Sequence, residues 1–333
     1  MISVALEGTR KVMEASLATP SVKRVVVTAS VSCMIFGHDL RALADEGVKI
    51  SPGMWTRLSD DAVDGSALQV ITSNGPCARR AKKLSPWVPD YPKSKTLAEQ
   101  LAWTYHGATE SPSVVSSTST SGPRPIISKT TSKTRTKGLE VVSIAPQVAF
   151  GPLLLSKGCE SVDVVKDVLS RPIVPDFGIQ VVDVRDIAEC HIRAIECQDP
   201  AIVETKQRFI CHSEFLPFTE ISDAIRTAIE NGKKKASPSG AAVQKNAKKA
   251  EPEFPASVLA PSKRSFPVTV PMWILKLNSV IDKSLRVLCL TEGLERMGVD
   301  LENGKKILKM TSYRKGKASI YAMTQSMMEK GML

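Results

Sequence analysis

The sequence lacks long hydrophobic runs and is poor in histidine and in aromatic residues. No apolar stretch approaches the ~18 residues that a spanning helix requires, because prolines interrupt the two candidates at 141–155 and 268–277. At the N-terminus, Glu7 falls inside what would be the apolar core of a signal peptide. These absences argue against an integral membrane protein and against a secreted one. We therefore expect a cytoplasmic location.

The chain also has no C-x-x-C motif. Its seven cysteines and four histidines are scattered, and their spacing matches no zinc site. Cysteines of a cytosolic protein are normally reduced. The sequence therefore predicts thiols and no metal centre.

Positive charge is concentrated in two low-complexity segments. The chain carries a net charge of +11, of which residues 107–138 supply +4 and residues 232–264 supply +6. Segments rich in Ser, Pro and Lys bury too little apolar surface to offset the entropy lost on ordering, so we expect solvated loops. A nucleic-acid site would place aromatic residues among the basic ones, and only Phe254 is available. We predict neither a specific nucleic-acid partner nor a membrane partner.

Outside these segments, helical and strand patterns alternate. Apolar strands are predicted at 25–30, 139–146 and 207–212, and helices at 4–17, 92–105, 161–171, 183–196, 218–232, 271–281 and 319–333. Pro92 favours the first turn of its helix, Asp183 is a cap, and Asn231-Gly232 predicts a helix end. Apolar strands that alternate with helices are typical of a buried parallel sheet in the α/β class.

Three residues form a candidate proton relay. Tyr91 and Lys95 have the Y-x-x-x-K spacing, which places the ammonium one helical turn from the phenol on the same face. A nearby cation stabilises phenolate and prepares the phenol for proton exchange with an alcohol or carbonyl oxygen. Ser30 ends an apolar strand, where a parallel sheet presents side chains to its crevice.

The same spacing also has a plain structural interpretation. Y-x-x-x-K occurs by chance in a chain of this length, so Tyr91 and Lys95 can simply decorate an amphipathic helix while Ser30 ends a strand. His38 follows that strand, and its two interpretations are a neighbour of the site and a loop histidine, of which we expect the second. The sequence context decides between these interpretations.

That context is a series of phrases in a fixed order, at residues 8–15, 22–30, 91–103, 146–154 and 181–196. The series resembles the extended short-chain dehydrogenase/reductases of the NAD-dependent epimerase/dehydratase superfamily, in particular the dihydroflavonol reductase and cinnamoyl-CoA reductase-like group. The phrase VDVRDIAECHIRA at 182–194 is its most characteristic part. The resemblance covers about two thirds of the chain.

The resemblance implies a doubly wound Rossmann-type parallel sheet with a small C-terminal substrate lobe. It also implies an NADP(H)-dependent oxidoreductase, NAD not being excluded, that acts on a CH–OH or carbonyl group of a small molecule. Ser30 would hold the substrate oxygen, Tyr91 would donate the proton, and Lys95 would lower the phenol pKa and bond the nicotinamide ribose. The implied cofactor contacts are Tyr91, Lys95, Pro146, Gln147, Val148, Ala149 and, at a phosphate, Ser161. The substrate's identity and the oligomeric state stay open.

The sequence departs from the family at its start. The family begins with a strand and a G-x-x-G-x-x-G loop that holds the pyrophosphate, and no glycine triplet of that spacing occurs here. Met1 falls within the helix before the Ser30 strand, so we expect the first strands of the sheet to be missing. We predict an incomplete Rossmann-type domain at 1–155 and a substrate lobe at 156–333.

Two further departures concern spacing within the chain. Ser30 and Tyr91 are 61 positions apart, which is longer than the family usually shows, and residues 73–83 are expected to loop out. The segment 107–138 then separates the Tyr91 helix from its following strand. The alternative interpretation is a catalytically incompetent remnant that binds no dinucleotide and acts at most as an interaction module.

Overall fold

The structure is a computed structural model that describes residues 1–58, 88–109, 137–170, 173–236, 268–271, 273–274, 276 and 289–333. Nearly all of the predicted loops at 107–138 and 232–264 lies outside these residues, as do 73–83 and most of the predicted helix at 271–281. No helix of the described residues is long and apolar enough to cross a membrane.

Helices and strands alternate along the described chain. The helices are α1 Ile2–Ala18, α2 Ser32–Ile35, α3 Leu40–Asp45, α4 Asp90–Thr104, α5 Glu160–Ser170, α6 Val184–Glu196, α7 Pro200–Glu204, α8 Phe218–Ala236, α9 Glu302–Lys306 and α10 Gly316–Glu329. The strands are β1 Arg24–Thr28, β2 Glu140–Pro146, β3 Val148–Phe150, β4 Ile173–Pro175, β5 Gly178–Asp183, β6 Gln207–Cys211, β7 Glu214–Pro217 and β8 Val268–Val270. A short 3-10 helix spans Leu294–Arg296.

The strands form three small sheets in which parallel pairing dominates. Their orders are β1-β2-β6, β3-β5-β7 and β4-β8. The pairs β1–β2, β3–β5 and β4–β8 are parallel, whereas β5–β7 is antiparallel. The predicted α/β class with parallel strands is confirmed.

The described chain divides into two compact units. The first comprises residues 1–39, 50–145 and 193–209. Its core lies where α1 and α4 pack, with Met13 and Leu17 from α1, Trp103 from α4 and Val141 from β2 all buried. Burying one such aliphatic side chain stabilises the folded state by roughly 1.5–3 kcal/mol.

The second unit comprises residues 40–49, 146–192 and 210–333. Helices α5, α8 and α10 pack against the β3-β5-β7 sheet, and the side chains buried there include Phe150 of β3, Ile225 of α8 and Met323 of α10. Gly232 lies within α8, and a Cβ there would meet Met328 Cε at 2.6 Å. The glycine therefore permits close approach of α10.

Most predicted elements are confirmed, with shifted ends. The helix predicted to start at Pro92 begins at Asp90, and the terminal helix spans Gly316–Glu329 rather than 319–333. The predicted end at Asn231-Gly232 is wrong, because α8 continues to Ala236 and Asn231 Nδ2 donates to the hydroxyl of Tyr321. The domain boundary at residue 155 stays a prediction, since compact units need not coincide with independently folding domains.

Candidate active site

Helix α4 presents Tyr91 and Lys95 from its first two turns. The helix begins at Asp90, whose carboxylate lies where the helix dipole favours negative charge. Pro92 occupies the first turn, where its missing N–H costs no helical bond. Tyr91 is 46% exposed, and its carbonyl accepts a bond from Ser94 Oγ at 2.8 Å. The phenol is thus accessible at the start of the helix.

Lys95 joins α4 to the carboxyl end of β1. Its Nζ donates to the carbonyl oxygen of Thr28 at 2.8 Å, and Thr28 is the last residue of that strand. The spacing of four residues puts Tyr91 one turn away on the same helical face. The ammonium group therefore lies at the end of the strand that leads to Ser30.

Ser30 lies in a tight turn immediately after β1. Ala29 N donates to Ile144 O at 2.8 Å, which extends the β1–β2 pairing by one residue. Ser30 Oγ accepts from Ser32 N at 3.1 Å, and Ser30 O accepts from Cys33 N at 2.9 Å. A hydroxyl that accepts one hydrogen bond still has its own proton to donate, so Ser30 Oγ can also act as a donor.

The three predicted catalytic residues thus belong to one compact unit: Tyr91 and Lys95 lie on α4, and Ser30 lies in the turn after β1, to which Lys95 is bonded at Thr28. The structure brings Lys95 to the end of the Ser30 strand and sets Tyr91 one turn from Lys95. Their catalytic roles stay a prediction.

The predicted cofactor segment lies in the second unit and is largely strand. Pro146 ends β2, whereas Val148 and Ala149 belong to β3, so Gln147 alone makes the connection. Gln147 N donates to Cys211 O at 3.1 Å, and its side-chain amide donates to Gln180 Oε1. These bonds fix the segment from both its backbone and its side chain.

Ser161 lies beside the same segment. It occupies the first turn of α5, and its Oγ donates to the carbonyl oxygen of Ala149 at 2.6 Å. The contact ties the start of α5 to β3. A phosphate bound by Ser161 would have to replace the Ala149 carbonyl oxygen as the acceptor of this hydrogen bond.

Two titratable side chains close to the Ser30 turn are held in their neutral forms. Burial, with the charge of Glu99, raises the pKa of the Cys33 thiol to about 12. Burial also lowers the pKa of His38, whose Nε2 bonds the carbonyl of Trp55 at 2.8 Å. His38 is therefore a structural loop histidine, as the sequence predicted.

Sequence reasoning missed a buried ion pair beneath this site. Glu99 of α4 and Arg208 of β6 are 1% and 5% exposed and are joined at 2.8 Å. A signal was present, because Glu99 shares the buried face of α4 with Thr96 and Trp103 and Arg208 sits within an apolar strand. A charge at such a position indicates a buried partner.

The described residues contain no cluster of three or more His, Cys, Asp or Glu side chains arranged to hold a metal ion.

Two curated plant proteins are similar in sequence. Noscapine synthase SDR1 of Papaver somniferum is 23% identical over 224 residues, covering 66% of this chain and 49% of that protein. Tetraketide alpha-pyrone reductase 1 of Arabidopsis thaliana is 23% identical over 220 residues, covering 65% and 49%. The chain therefore spans about half the length of the curated relatives it matches. No protein-family model matches the chain.

The fold is similar to that of solved reductases. The crystal structure of Gre2 from Candida albicans, in complex with NADPH, matches with a TM-score of 0.53 at 17% identity. The match covers 98% of this chain and 70% of that one. In sequence and in fold, the chain is therefore similar to extended short-chain dehydrogenase/reductases.

Proposed function

We propose that the protein is an NADP(H)-dependent oxidoreductase that reduces a carbonyl group of a small molecule, or oxidises the corresponding alcohol. One observation carries the proposal: Lys95 Nζ is bonded to Thr28 O at the carboxyl end of a parallel strand, with Tyr91 one turn away. The carboxyl ends of parallel strands are where α/β folds bind ligands.

In the proposed reduction, each of the three residues has one task. The hydroxyl of Ser30 donates a hydrogen bond to the substrate oxygen and orients it. Tyr91 transfers its phenolic proton to that oxygen while the carbonyl carbon accepts a hydride, so that an alcohol forms and a phenolate remains. The Lys95 ammonium favours the phenolate by its charge. Solvent then returns the proton to Tyr91, whose phenol is exposed.

In the first unit, Lys95 fits the ribose next to the nicotinamide of a dinucleotide, because its ammonium is a donor suited to ribose hydroxyls. Reduced nicotinamide would supply the hydride when the cofactor is bound. NADP is favoured over NAD because a protein of similar fold was crystallised with NADPH.

Cofactor binding by the whole chain is the first test. Titration of the purified 333-residue protein with NADPH, followed by nicotinamide fluorescence, should give saturable binding. No binding up to millimolar cofactor would favour the alternative of a non-catalytic remnant.

Substitution of one lysine tests the relay. Lys95→Met should weaken NADPH binding and reduce turnover of aldehydes or ketones by a factor of at least ~100, the range of a lost acid/base group. Lys93→Met removes the same charge from the same helix two positions earlier and serves as the matched control. Equal losses in the two variants would contradict a specific role for Lys95.

A further inference from the structure

The buried ion pair joins the helix that carries Tyr91 and Lys95 to the rest of the first unit. Glu99 lies one turn after Lys95 on α4. The guanidinium of Arg208 forms a bidentate ion pair with the Glu99 carboxylate: Nε donates to Oε1 at 2.8 Å and Nη2 donates to Oε2 at 2.9 Å. A two-pronged contact of this kind fixes direction as well as distance.

The third nitrogen of Arg208 holds a different segment. Nη1 donates to Pro52 O at 2.8 Å and to Met54 O at 2.6 Å. The guanidinium also lies over the ring of Trp55, 3.8 Å from its centroid. The Arg208 side chain therefore contacts both α4 and residues 52–55.

Residues 52–55 are followed in the chain by Thr56, which is hydrogen-bonded to the turn that contains Ser30. The next residue, Thr56, donates from Oγ1 to Ser32 O at 2.6 Å and from its backbone N to Cys33 O at 2.7 Å. Thr56 Oγ1 in turn accepts from Phe36 N at 3.2 Å. The segment held by Arg208 is thus bonded to the residues that follow Ser30.

Glu99 is also hydrogen-bonded to the β1-β2-β6 sheet, next to the strand position that Lys95 contacts. Ser143 Oγ donates to Glu99 Oε1, and Ser143 of β2 pairs with Val27 of β1. The neighbour of Val27 is Thr28, whose carbonyl accepts from Lys95. The carboxylate therefore anchors α4 beside the strand position that Lys95 contacts.

We propose that Arg208 and Glu99 are positioning residues that fix the Tyr91–Lys95 helix relative to the Ser30 turn. The inference rests on the proposed function, since its consequence is the geometry of the proton relay. Neither residue has a role at the reacting atoms. A buried ion pair adds little stability over a well-packed apolar pair, so its distinctive contribution here is geometric.

The test uses a variant that preserves the positive charge at position 208 but removes the bidentate guanidinium. In Arg208→Lys, a single ammonium cannot reach Glu99 and the carbonyls of residues 52 and 54 together. The matched control is Arg24→Lys in the same unit. Arg24 also pairs with a glutamate, Glu140, and donates to three backbone carbonyls, at residues 194, 195 and 197.

The first measurement is amide hydrogen exchange, which needs no activity. Arg208→Lys should speed exchange in residues 30–36 and 52–56 and leave 194–199 as in the unsubstituted protein. Arg24→Lys should do the reverse. Unchanged exchange at 30–36 in Arg208→Lys would overturn the proposal.

The second measurement separates kcat from KM for NADPH-dependent carbonyl reduction, corrected for the folded fraction. Arg208→Lys should lower kcat by about 10- to 100-fold, because small misplacements have effects of this size. KM for NADPH should stay within about twofold, as expected when only transition-state geometry suffers. The loss should shrink in a Ser30→Ala background, because the residue being positioned is then absent.

The outcomes separate this inference from the proposed function. Equal kcat values in Arg208→Lys and Arg24→Lys would overturn the positioning role of Arg208. If the unsubstituted protein reduces no carbonyl, the proposed function fails, and hydrogen exchange still decides whether Arg208 holds the Ser30 turn. If Arg208→Lys does not fold, Ser143→Ala replaces it, because that change removes a single bond to Glu99.

Discussion

Removing the Arg208 side chain should destabilise the protein severely. In Arg208→Met, the carboxylate of Glu99 remains buried at 1% exposure without its bidentate partner, and two backbone carbonyls lose their donor. Breaking a buried pair from one side costs about 3–5 kcal/mol of unfolding free energy. For a protein of this size that corresponds to a fall of about 4–7 °C in Tm.

Chemical denaturation at pH 7.5 measures the difference in unfolding free energy between Arg208→Met and the unsubstituted protein.

The double variant Glu99→Leu/Arg208→Met supplies the matched control. It removes both charges and should recover most of the stability at pH 7.5, since apolar pairs replace buried ion pairs at little cost. A single variant that loses less than about 1 kcal/mol, the size of an exposed pair, would refute the reasoning. A double variant less stable than the single one would also refute it.

Four further predictions concern other residues. Iodoacetamide at pH 8 should alkylate exposed Cys159 and spare Cys33, whose pKa burial raises to about 12, as peptide mass spectrometry would show. Gly178→Ala should lower Tm, because a Cβ there would collide with the carbonyl oxygen of Leu216 on the neighbouring strand. Gly8→Ala meets nothing within 4 Å in a helix and should add about 0.5–1 kcal/mol of stability. Burial lowers the pKa of His212 from 6.5 to about 4. The unfolded state therefore binds its proton first, and the unfolding free energy should fall as the pH drops from 6.5 towards 4, with a shallower slope in His212→Gln.

Each of these predictions has a contrary outcome. Alkylation of Cys33 at the rate of Cys159 would show that the Ser30 turn opens readily. Equal Tm values for the two alanine variants would contradict the close strand contact at Gly178. An unchanged slope in His212→Gln would mean that other groups dominate the acid response.

The elements of the fold were predictable because their patterns are local. The apolar run at 25–30 and the helix that carries Tyr91 follow from residue order alone, and both are present within two residues of the predicted bounds. The end of α8 was not predictable in this way. Gly232 is accommodated in the helix by close packing on Met328, a contact that is distant in sequence.

In the candidate site, too, local features were predictable from the sequence and contacts between distant residues were not. Tyr91 and Lys95 were predictable because i and i+4 residues of a helix share a face. The contact of Lys95 with Thr28 joins residues 67 positions apart, and that of Arg208 with Glu99 joins residues 109 apart. Periodicity carries no information on such pairings. The single hint was a charge on each of two apolar faces.

The bond from Lys95 ends on a backbone oxygen, and this has a consequence for how the site tolerates substitution. Every residue type carries a carbonyl, so the side chain at position 28, which is exposed, can vary without losing the contact. The length of the β1 strand cannot vary in the same way, because an insertion or deletion there would move the acceptor. Variation at Thr28 should therefore be common among functional relatives, while length changes between Arg24 and Ser30 should be rare.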